Sequence, residues 1–175
     1  MAGKIGSTNL NSRIVAMKFQ KISMDVAKCL LIILGLTSGA TYAQDKQSIL
    51  FVCEHGAARS AIAAAYFNKI AKEKGLNYEA HFRGTDPQDS LSPGARIGLV
   101  RDGFNIAKMK PTVVSESDIK QAAQVITFDC KLPANTNPKN LERWDGIPPI
   151  SESYDIARDQ IEAKVRALVH QLVKK

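Results

Sequence analysis

The sequence has few cysteines and few aromatic residues. It contains three cysteines among 175 residues, and aromatic residues make up 6% of the chain. Three cysteines exclude a disulfide-stabilised mini-protein and a zinc site with four cysteine ligands. Two of the histidines, His81 and His170, lie on different predicted elements without companion ligands. We therefore predict neither a metal site nor a cofactor.

A concentrated basic segment is also lacking. The chain carries 24 Lys and Arg against 17 Asp and Glu, which gives a net charge of +7. Residues 1–43 hold five of the bases and one acid, so residues 44–175 hold 19 bases and 16 acids and carry +3. The bases are scattered among acids without an aromatic RNA-binding motif, which argues against a nucleic-acid partner.

The composition is otherwise that of an ordinary globular protein. Hydrophobic residues make up 45% of the chain and charged residues 23%, and no internal repeat is visible. A chain of this size and apolar content can bury one core. We predict one folded domain over residues 44–175, acting as a monomer.

The longest apolar run lies near the N-terminus. Residues 29–36 (CLLIILGL) follow three lysines and precede a run of small residues that ends at Ala43. This order of basic, apolar and small residues is typical of a signal peptide, and the apolar run is too short to span a bilayer. We predict that residues 1–43 direct export to the periplasm or the exterior and touch the membrane only in transit. The alternative is a buried N-terminal helix.

Beyond residue 43, strand patterns alternate with helix patterns. Residues 48–52 form a continuous apolar run, as in a strand buried on both faces of a sheet. Residues 59–74 are rich in alanine and end before Gly75, which is typical of a helix and its cap. This alternation predicts an α/β fold in which helices cover both faces of a small parallel sheet. Further strands are predicted over 76–83 and 125–128, and further helices over 93–102, from Ser115, and from Ser151 or Ser153.

The turn between the first strand and the first helix carries the candidate chemistry. Cys53 ends the strand, and Arg59 opens the helix six residues later. Backbone N–H groups of such a turn and the positive end of the helix can bind an oxyanion and stabilise a thiolate. Arg59 can bind two phosphate oxygens, and Ser60 can donate its hydroxyl to the sulfur. We predict a phosphate-binding loop in which Cys53 and Arg59 are catalytic and the substrate-binding residues are Glu54, His55, Gly56, Ala57, Ala58 and Ser60. The alternative is a structural cysteine followed by a solvent-facing arginine.

These residues resemble those of the low-molecular-weight protein tyrosine phosphatases and of the thioredoxin-coupled arsenate reductases that share their fold. The resemblance spans residues 48–172 and implies a four-stranded parallel sheet with the phosphate-binding loop at its C-terminal edge. It also implies that Cys53 is the nucleophile and Arg59 the phosphate clamp. In the phosphatases, an Asp from a late loop protonates the leaving group and then activates water. The motifs that carry the resemblance are ILFVCEHGAARS (49–60), FRGT (82–85), LSPGA (91–95), DGFNI (102–106) and VITFD (125–129).

The sequence departs from the family pattern in three places. Gly56 stands where the family usually has Asn, and a glycine can adopt the same positive φ without strain. Ala58 replaces a second loop cysteine, which removes one route for protecting the nucleophile from over-oxidation. The late Asp-Pro pair is missing, because residues 144–149 are WDGIPP.

The missing Asp-Pro leaves two alignments for the general acid. Counting back nine residues from Tyr154, an aromatic position of the family, selects Asp145. Counting forward from Trp144 as in the arsenate reductases selects a position near Pro148, which cannot donate a proton. We predict Asp145, with Asp129 as the fallback and a merely solvated Asp145 as the alternative.

The expected activity is hydrolysis of a phosphate ester, such as a phosphotyrosyl protein, through a cysteinyl-phosphate. One alternative is arsenate reduction, for which Cys130 stands near the position of a resolving cysteine, although a small buried hydrophobe is the more common role. Export argues against that alternative, because thioredoxin-type reductants are cytosolic by default. In an oxidising compartment, we expect Cys53 and Cys130 to form an inactivating disulfide. The other alternative is a non-catalytic oxyanion-binding module.

Overall fold

A computed structural model describes residues 45–174 of the chain. The export signal predicted over residues 1–43 lies outside the described residues, as does its predicted cleavage site. Within the described range, no helix combines the length and apolar character that crossing a membrane requires.

Four parallel strands form one sheet, which confirms the predicted fold class. Their spatial order is β2-β1-β3-β4, so β1 is central and β2 is an edge strand. Residues 49–53 of β1 are buried because strands flank it and helices cover both of its faces. The third strand begins three residues before the predicted start, since Ala122 already pairs with Ser48. The strands are β1 (Gln47–Cys53), β2 (Tyr78–Gly84), β3 (Ala122–Phe128) and β4 (Leu141–Arg143).

Residues 45–174 contain four helices, and local sequence signals mark several of their boundaries. They are α1 (Arg59–Glu73), α2 (Pro93–Arg101), α3 (Glu116–Gln121) and α4 (Tyr154–Val173). Three of them begin after a serine, Ser92, Ser115 or Ser153, whose hydroxyl accepts a hydrogen bond from a backbone N–H of the first turn. Of the two starts considered for the last helix, Ser153 is therefore the cap. Gly75 has the positive φ of +65° expected of the residue that terminates α1.

The sheet has a large hydrophobic cluster on one face and a small one on the other. Ile49 and Phe51 of β1 belong to the large cluster, which α1 and α4 cover. Leu50 and Val52, which point the opposite way, belong to the small cluster with Ile119 of α3. The apolar face predicted for the last helix is buried in the large cluster and consists of Ile161, Val165, Leu168 and Leu172.

The register of the sheet determines which loops meet. Cys53 at the end of β1 pairs with Gly84 at the end of β2 and with Phe128 at the end of β3. The carboxyl ends of three parallel strands therefore lie side by side, and the segments that follow them converge at one edge of the sheet.

Candidate active site

Residues 53–60, from the last residue of β1 to the second residue of α1, are the segment for which the sequence predicts a phosphate-binding loop. Cys53 is 5% exposed at the C-terminal end of β1, and Arg59 begins α1. The residue before α1, Ala58, has no side chain that caps the helix. The first N–H groups of α1 are therefore left available for an anion.

Backbone hydrogen bonds orient the loop. The carbonyl oxygens of Cys53, Glu54 and His55 accept hydrogen bonds from the N–H groups of residues 85, 86 and 88 at distances of 3.2, 2.8 and 3.1 Å. The Ala57 carbonyl accepts one from residue 92 at 2.9 Å. Because these carbonyls are occupied by the following segment, the loop can turn its N–H groups towards the space beside Cys53, as an anion-binding nest requires.

Gly56 has a positive φ of +59° at the middle of the loop, a conformation that a glycine adopts without strain. A Cβ on Gly56 would lie 2.8 Å from the backbone nitrogen of Gly84. A Cβ on Gly84 would lie 2.8 Å from the backbone nitrogen of Gly56. The two backbones are in direct contact, so the end of β2 fixes the shape of the loop.

Ser60 is the nearest polar partner of the candidate nucleophile. Its Oγ lies 3.0 Å from the Sγ of Cys53, and its side chain is fully buried. A hydroxyl that donates to the sulfur favours the thiolate, which is the nucleophilic form of cysteine. The structure therefore brings Cys53, Arg59 and Ser60 together in the arrangement that the sequence predicted.

Arg59 is held by the loops that follow β3 and β4. Its Nη1 pairs with Oδ2 of Asp129 and donates to the carbonyl oxygen of Ile147 at 3.1 Å. Within residues 45–174, all hydrogen bonds of Arg59 use Nη1. The other two guanidinium nitrogens remain available for two oxygens of one phosphate group.

Asp145, the predicted general acid, interlocks with Asp129. Asp145 Oδ1 accepts a hydrogen bond from the backbone N–H of Asp129 at 3.0 Å, and Asp129 Oδ1 accepts one from the N–H of Gly146 at 3.0 Å. Asp129 has a positive φ of +45°, which is uncommon for a residue with a side chain. The interlock joins the β3 and β4 loops beside Arg59.

A cavity of about 220 Å³ opens at the candidate nucleophile. Its wall opposite the phosphate-binding loop consists of Pro149, Ile150 and Ser151, which the sequence analysis did not assign to the site. Asp145 does not line this cavity. The rim holds His55, whose Nδ1 lies 3.1 Å from the carbonyl oxygen of Asp86. The lining comprises residues 53–55, 58, 59, 92 and 149–151.

The loop that carries Asp145 is anchored at both ends. Upstream, Trp144 is 1% exposed and its Nε1 donates to Glu142 at 2.7 Å. Downstream, the Tyr154 hydroxyl donates to Oδ2 of Asp102 at 2.7 Å, and Tyr66 and Arg158 donate to the same oxygen at 2.8 and 3.2 Å. This polar cluster fixes the start of α4 and, with it, the wall of the cavity.

Cys130 lies close to the nucleophile without being bonded to it. Both cysteines are free, and the Cys130 thiol lies 3.5 Å from the carbonyl oxygen of Val52, the residue before Cys53. Burial raises the pKa of the Cys130 thiol, and the neighbouring Cys53 raises it further. Cys130 is therefore a thiol at neutral pH.

Comparison with known families supports this assignment of the fold. Residues 48–175 match the family described as low molecular weight phosphotyrosine protein phosphatase. The match covers the sheet, the phosphate-binding loop and all four helices.

Solved structures with the same fold include phosphatases and arsenate reductases. The structure of YfkJ from Bacillus subtilis is 22% identical, with a TM-score of 0.66 over 75% of this chain and 98% of that one. A low molecular weight phosphotyrosine phosphatase from Vibrio cholerae is 20% identical, with a TM-score of 0.60 over 71% of this chain and 95% of that one. An arsenate reductase from Archaeoglobus fulgidus is 27% identical, with a TM-score of 0.55 over 70% of this chain and 98% of that one.

Proposed function

The chain belongs to the low molecular weight phosphotyrosine protein phosphatase family, and on that premise we propose that it hydrolyses phosphate monoesters through a phosphorylated Cys53. The observation that carries the proposal is the loop geometry. The Sγ of the buried Cys53 lies 3.0 Å from the Ser60 hydroxyl at the N-terminus of α1, next to an arginine that uses only Nη1 for hydrogen bonds within residues 45–174. This arrangement suits a phosphoryl group with three equatorial oxygens.

In the first step, the Cys53 thiolate attacks phosphorus and the bond to the ester oxygen breaks. The phosphoryl group passes to sulfur, and the leaving oxygen takes up a proton. The loop N–H groups and Arg59 stabilise the charge on the equatorial oxygens. Asp129 acts here as a positioning residue, because it holds Nη1 of Arg59 and leaves the rest of the guanidinium free.

The proton for the leaving group requires an acid, and Asp145 remains our proposal. Both oxygens of Asp129 already accept hydrogen bonds, from Arg59 and from Gly146. Asp145 uses only Oδ1 in the described part of the chain, which leaves Oδ2 free to carry a proton. Because Asp145 does not line the cavity of this structure, the proposal requires the loop after Trp144 to move when a substrate binds.

In the second step, water attacks the phosphocysteine. The proposed acid now accepts a proton from that water, the sulfur–phosphorus bond breaks, and inorganic phosphate leaves. The Cys53 thiolate is regenerated and Ser60 stabilises it as the leaving group. The cycle consumes one water and uses no cofactor.

We propose a phosphotyrosyl protein or another phosphate ester as the substrate, and export to the periplasm or exterior as the route of the chain. Export is supported by the signal-like pattern of residues 29–36 and the small residues up to Ala43. N-terminal sequencing of the native protein should find a first residue at or near Gln44. An intact segment on a soluble cytosolic protein would contradict export.

Arsenate reduction is the second candidate, because Cys130 lies next to the end of β1. In that reaction, Cys53 would attack arsenate, Cys130 would displace arsenite and close a disulfide, and a dithiol protein would reduce the disulfide. The raised pKa of Cys130 weighs against it, since the attacking sulfur must be a thiolate. Arsenate-dependent oxidation of a dithiol would support this candidate.

The decisive assay is release of phosphate from p-nitrophenyl phosphate. We expect the wild type to turn over and Cys53→Ser to lose at least about 10³-fold in kcat. Cys130→Ser is the matched control, because it removes the neighbouring thiol and should retain activity. Tight phosphate binding without turnover would indicate a non-catalytic anion-binding module.

A further inference from the structure

A second cavity, of about 810 Å³, lies along the outer edge of β2 and does not include Cys53. Its walls are the outer side of α1, the β2 residues 80–83, and the segment 102–112 that connects α2 to α3. We refer to this cavity as the β2 groove. Its volume is several times that of the cavity at Cys53, so it can hold a ligand much larger than a phosphate ion.

The β2 groove carries positive charge on both walls. Lys69 and Lys72 stand on α1, and Lys108 and Lys110 stand on the connecting segment opposite. All four are exposed, and none forms an ion pair with another residue of the range 45–174. The acid in the groove lining, Asp102, is already bonded to Arg158 and to two tyrosines. The groove therefore presents four uncompensated positive charges.

The floor between the lysines is largely apolar. It includes Phe82, Phe104 and Met109, which pack against the large hydrophobic cluster. The ammonium group of Lys69 lies 5.6 Å from the centre of the Phe104 ring. A ligand for this groove therefore combines negative charges with apolar groups.

The charged side chains that line the β2 groove favour an acidic peptide over a single phosphate group as the ligand. Lysines on flexible stems act as point charges, whereas phosphate sites usually include an arginine fork or converging backbone N–H groups. The arginine in the groove lining, Arg83, is engaged by Asp118 at 2.9 and 3.2 Å. Several carboxylates spaced along an extended chain match lysines distributed over two walls.

The length of the groove also fits an extended peptide. A neighbouring cavity of about 500 Å³ shares Asn68 and Lys72 with the β2 groove and continues along β2 to Tyr78. The seven residues of β2 measure about 23 Å. The Asn68 amide already bonds the N–H and C=O of Ala80 at 2.7 and 2.9 Å, so the peptide would bind through side chains rather than as an added strand.

The groove ends beside the phosphate-binding loop. Arg83 lines the groove, and the next residue, Gly84, is in backbone contact with Gly56. The groove and the cavity of Cys53 share no lining residue, and residues 85–88 lie against the loop between them, so the docked segment and the phosphorylated residue must be separate parts of the substrate chain. We propose that the β2 groove docks an acidic segment of a phosphoprotein substrate. The proposal rests on the proposed phosphatase function and specifies the class of substrate.

The kinetic test uses the full-length chain and two phosphotyrosyl peptides that differ only in flanking residues, glutamates in one and glutamines in the other. We expect kcat/KM to be at least about 10-fold higher for the acidic peptide at low salt, mainly through KM. The preference should fall at about 0.5 M salt because screening weakens charge pairs. Each comparison is made twice, once with the glutamates or glutamines before the phosphotyrosine and once with them after it.

Two charge-matched variants locate the effect. Lys69→Glu with Lys108→Glu changes one lysine on each wall and should abolish the preference. Lys139→Glu with Lys174→Glu makes the same change in net charge at exposed positions outside the groove and should retain it. The wild type and both double variants should hydrolyse p-nitrophenyl phosphate equally. A preference that is absent, or that survives the groove substitutions, would overturn the proposal.

Fluorescence anisotropy measures binding of the unphosphorylated acidic peptide. This measurement tests the docking proposal separately from the proposed phosphatase activity. If p-nitrophenyl phosphate is not hydrolysed, the phosphatase proposal fails, but groove-dependent binding still supports an acidic peptide ligand. Loss of binding in the groove variant and not in the control is the expected result. Tighter binding of an oligonucleotide or of ADP at the groove would overturn the proposal that the groove binds an acidic peptide.

Discussion

The two loops that meet at Cys53 are built in different ways. The phosphate-binding loop consists of eight consecutive residues, and backbone contacts with Gly84 and residues 85–92 hold its shape. The loop after Trp144 carries the proposed acid, and long-range side-chain contacts with Asp129 and the Asp102 cluster hold it in place. A site of this kind can bind an oxyanion through one loop while its proton transfer depends on the other.

After Cys53 itself, the largest effect is expected from the proposed acid. Asp145→Asn should lower kcat/KM, which reports formation of the phosphocysteine, about 10²–10⁴-fold for an alkyl phosphate, whose leaving group needs a proton. The loss should be much smaller for p-nitrophenyl phosphate, whose leaving group departs as an anion. Steady-state kinetics on both esters measure the difference.

Asp129→Asn is the comparison variant. It weakens the ion pair that positions Arg59, so it should lower the rates of both esters by similar factors. Equal small losses for both esters in Asp145→Asn would remove Asp145 from the mechanism and leave the reaction without a protein acid at that loop.

The next effect tests the contact between β2 and the phosphate-binding loop. Gly84→Ala places a Cβ 2.8 Å from the backbone nitrogen of Gly56, so one of the two backbones must move. Misplacement of the loop by a fraction of an ångström should lower kcat/KM for p-nitrophenyl phosphate about 100-fold. Activity and circular dichroism are measured together to show that the fold survives.

Gly103→Ala is the control for this substitution. Gly103 also resists a side chain, because its φ is +83°, but no atom lies within 4 Å of the new Cβ. It should cost about 1 kcal/mol of stability and leave the activity nearly unchanged. If Gly84→Ala retains full activity, the contact does not shape the loop.

The sequence predicted the first loop well and the second poorly. Cys53, Arg59 and Ser60 lie within eight residues, and the strand and helix around them are local patterns, so their geometry followed from the sequence. Gly56 was predicted to tolerate a positive φ, and its φ is +59°.

The second loop depends on distant residues that leave no local pattern. The partner of Arg59, Asp129, is 70 residues away, and the interlock between Asp129 and Asp145 joins two different loops. Only the order of the strands in the sheet brings Arg59, Asp129 and Asp145 together. Gly98 illustrates the same limit, because its role is to leave space for Tyr154, whose ring would lie 2.2 Å from a Cβ there.

A smaller effect, on stability, is expected at the anchor of the second loop. Asp102→Asn weakens the bonds from Tyr66, Tyr154 and Arg158 and should lower the free energy of unfolding by about 2 kcal/mol at pH 7. Urea unfolding measures the loss. Asp159→Asn, an exposed carboxylate on α4, is the control and should cost less than about 0.5 kcal/mol.

The same anchor should make stability depend on acid pH. Burial opposes ionisation of Asp102, but hydrogen bonds from Tyr154 and Tyr66 and the charges of Arg158 and Arg101 outweigh it, so the pKa lies below its ordinary value. A lowered pKa in the folded state gives stability that is present above about pH 4 and lost as the pH falls through the folded pKa. The difference between wild type and Asp102→Asn should therefore shrink below about pH 4. A difference that stays constant to pH 3 would contradict this origin.

The smallest effect on activity is expected from substitution of Cys130 under reducing conditions. Cys130→Ser should change kcat/KM for p-nitrophenyl phosphate by less than about twofold, because the mechanism does not use this thiol. Under air, wild type should lose activity through a disulfide between Cys53 and Cys130, and the variant should not form that disulfide. Non-reducing digestion and mass spectrometry identify the bond, and full labelling of both thiols after exposure to air would exclude it.

The central claim is that the phosphate-binding loop carries the phosphoryl group on Cys53. The most direct measurement is rapid acid quench during turnover of p-nitrophenyl phosphate, followed by mass spectrometry of the peptide that contains residue 53. The account predicts one phosphoryl group on that peptide, located on the Cys53 sulfur, and a larger phosphorylated fraction in Asp145→Asn, because the proposed acid also accepts the proton of the attacking water. Steady turnover with no phosphorylated peptide, or with the group on another residue, would contradict it.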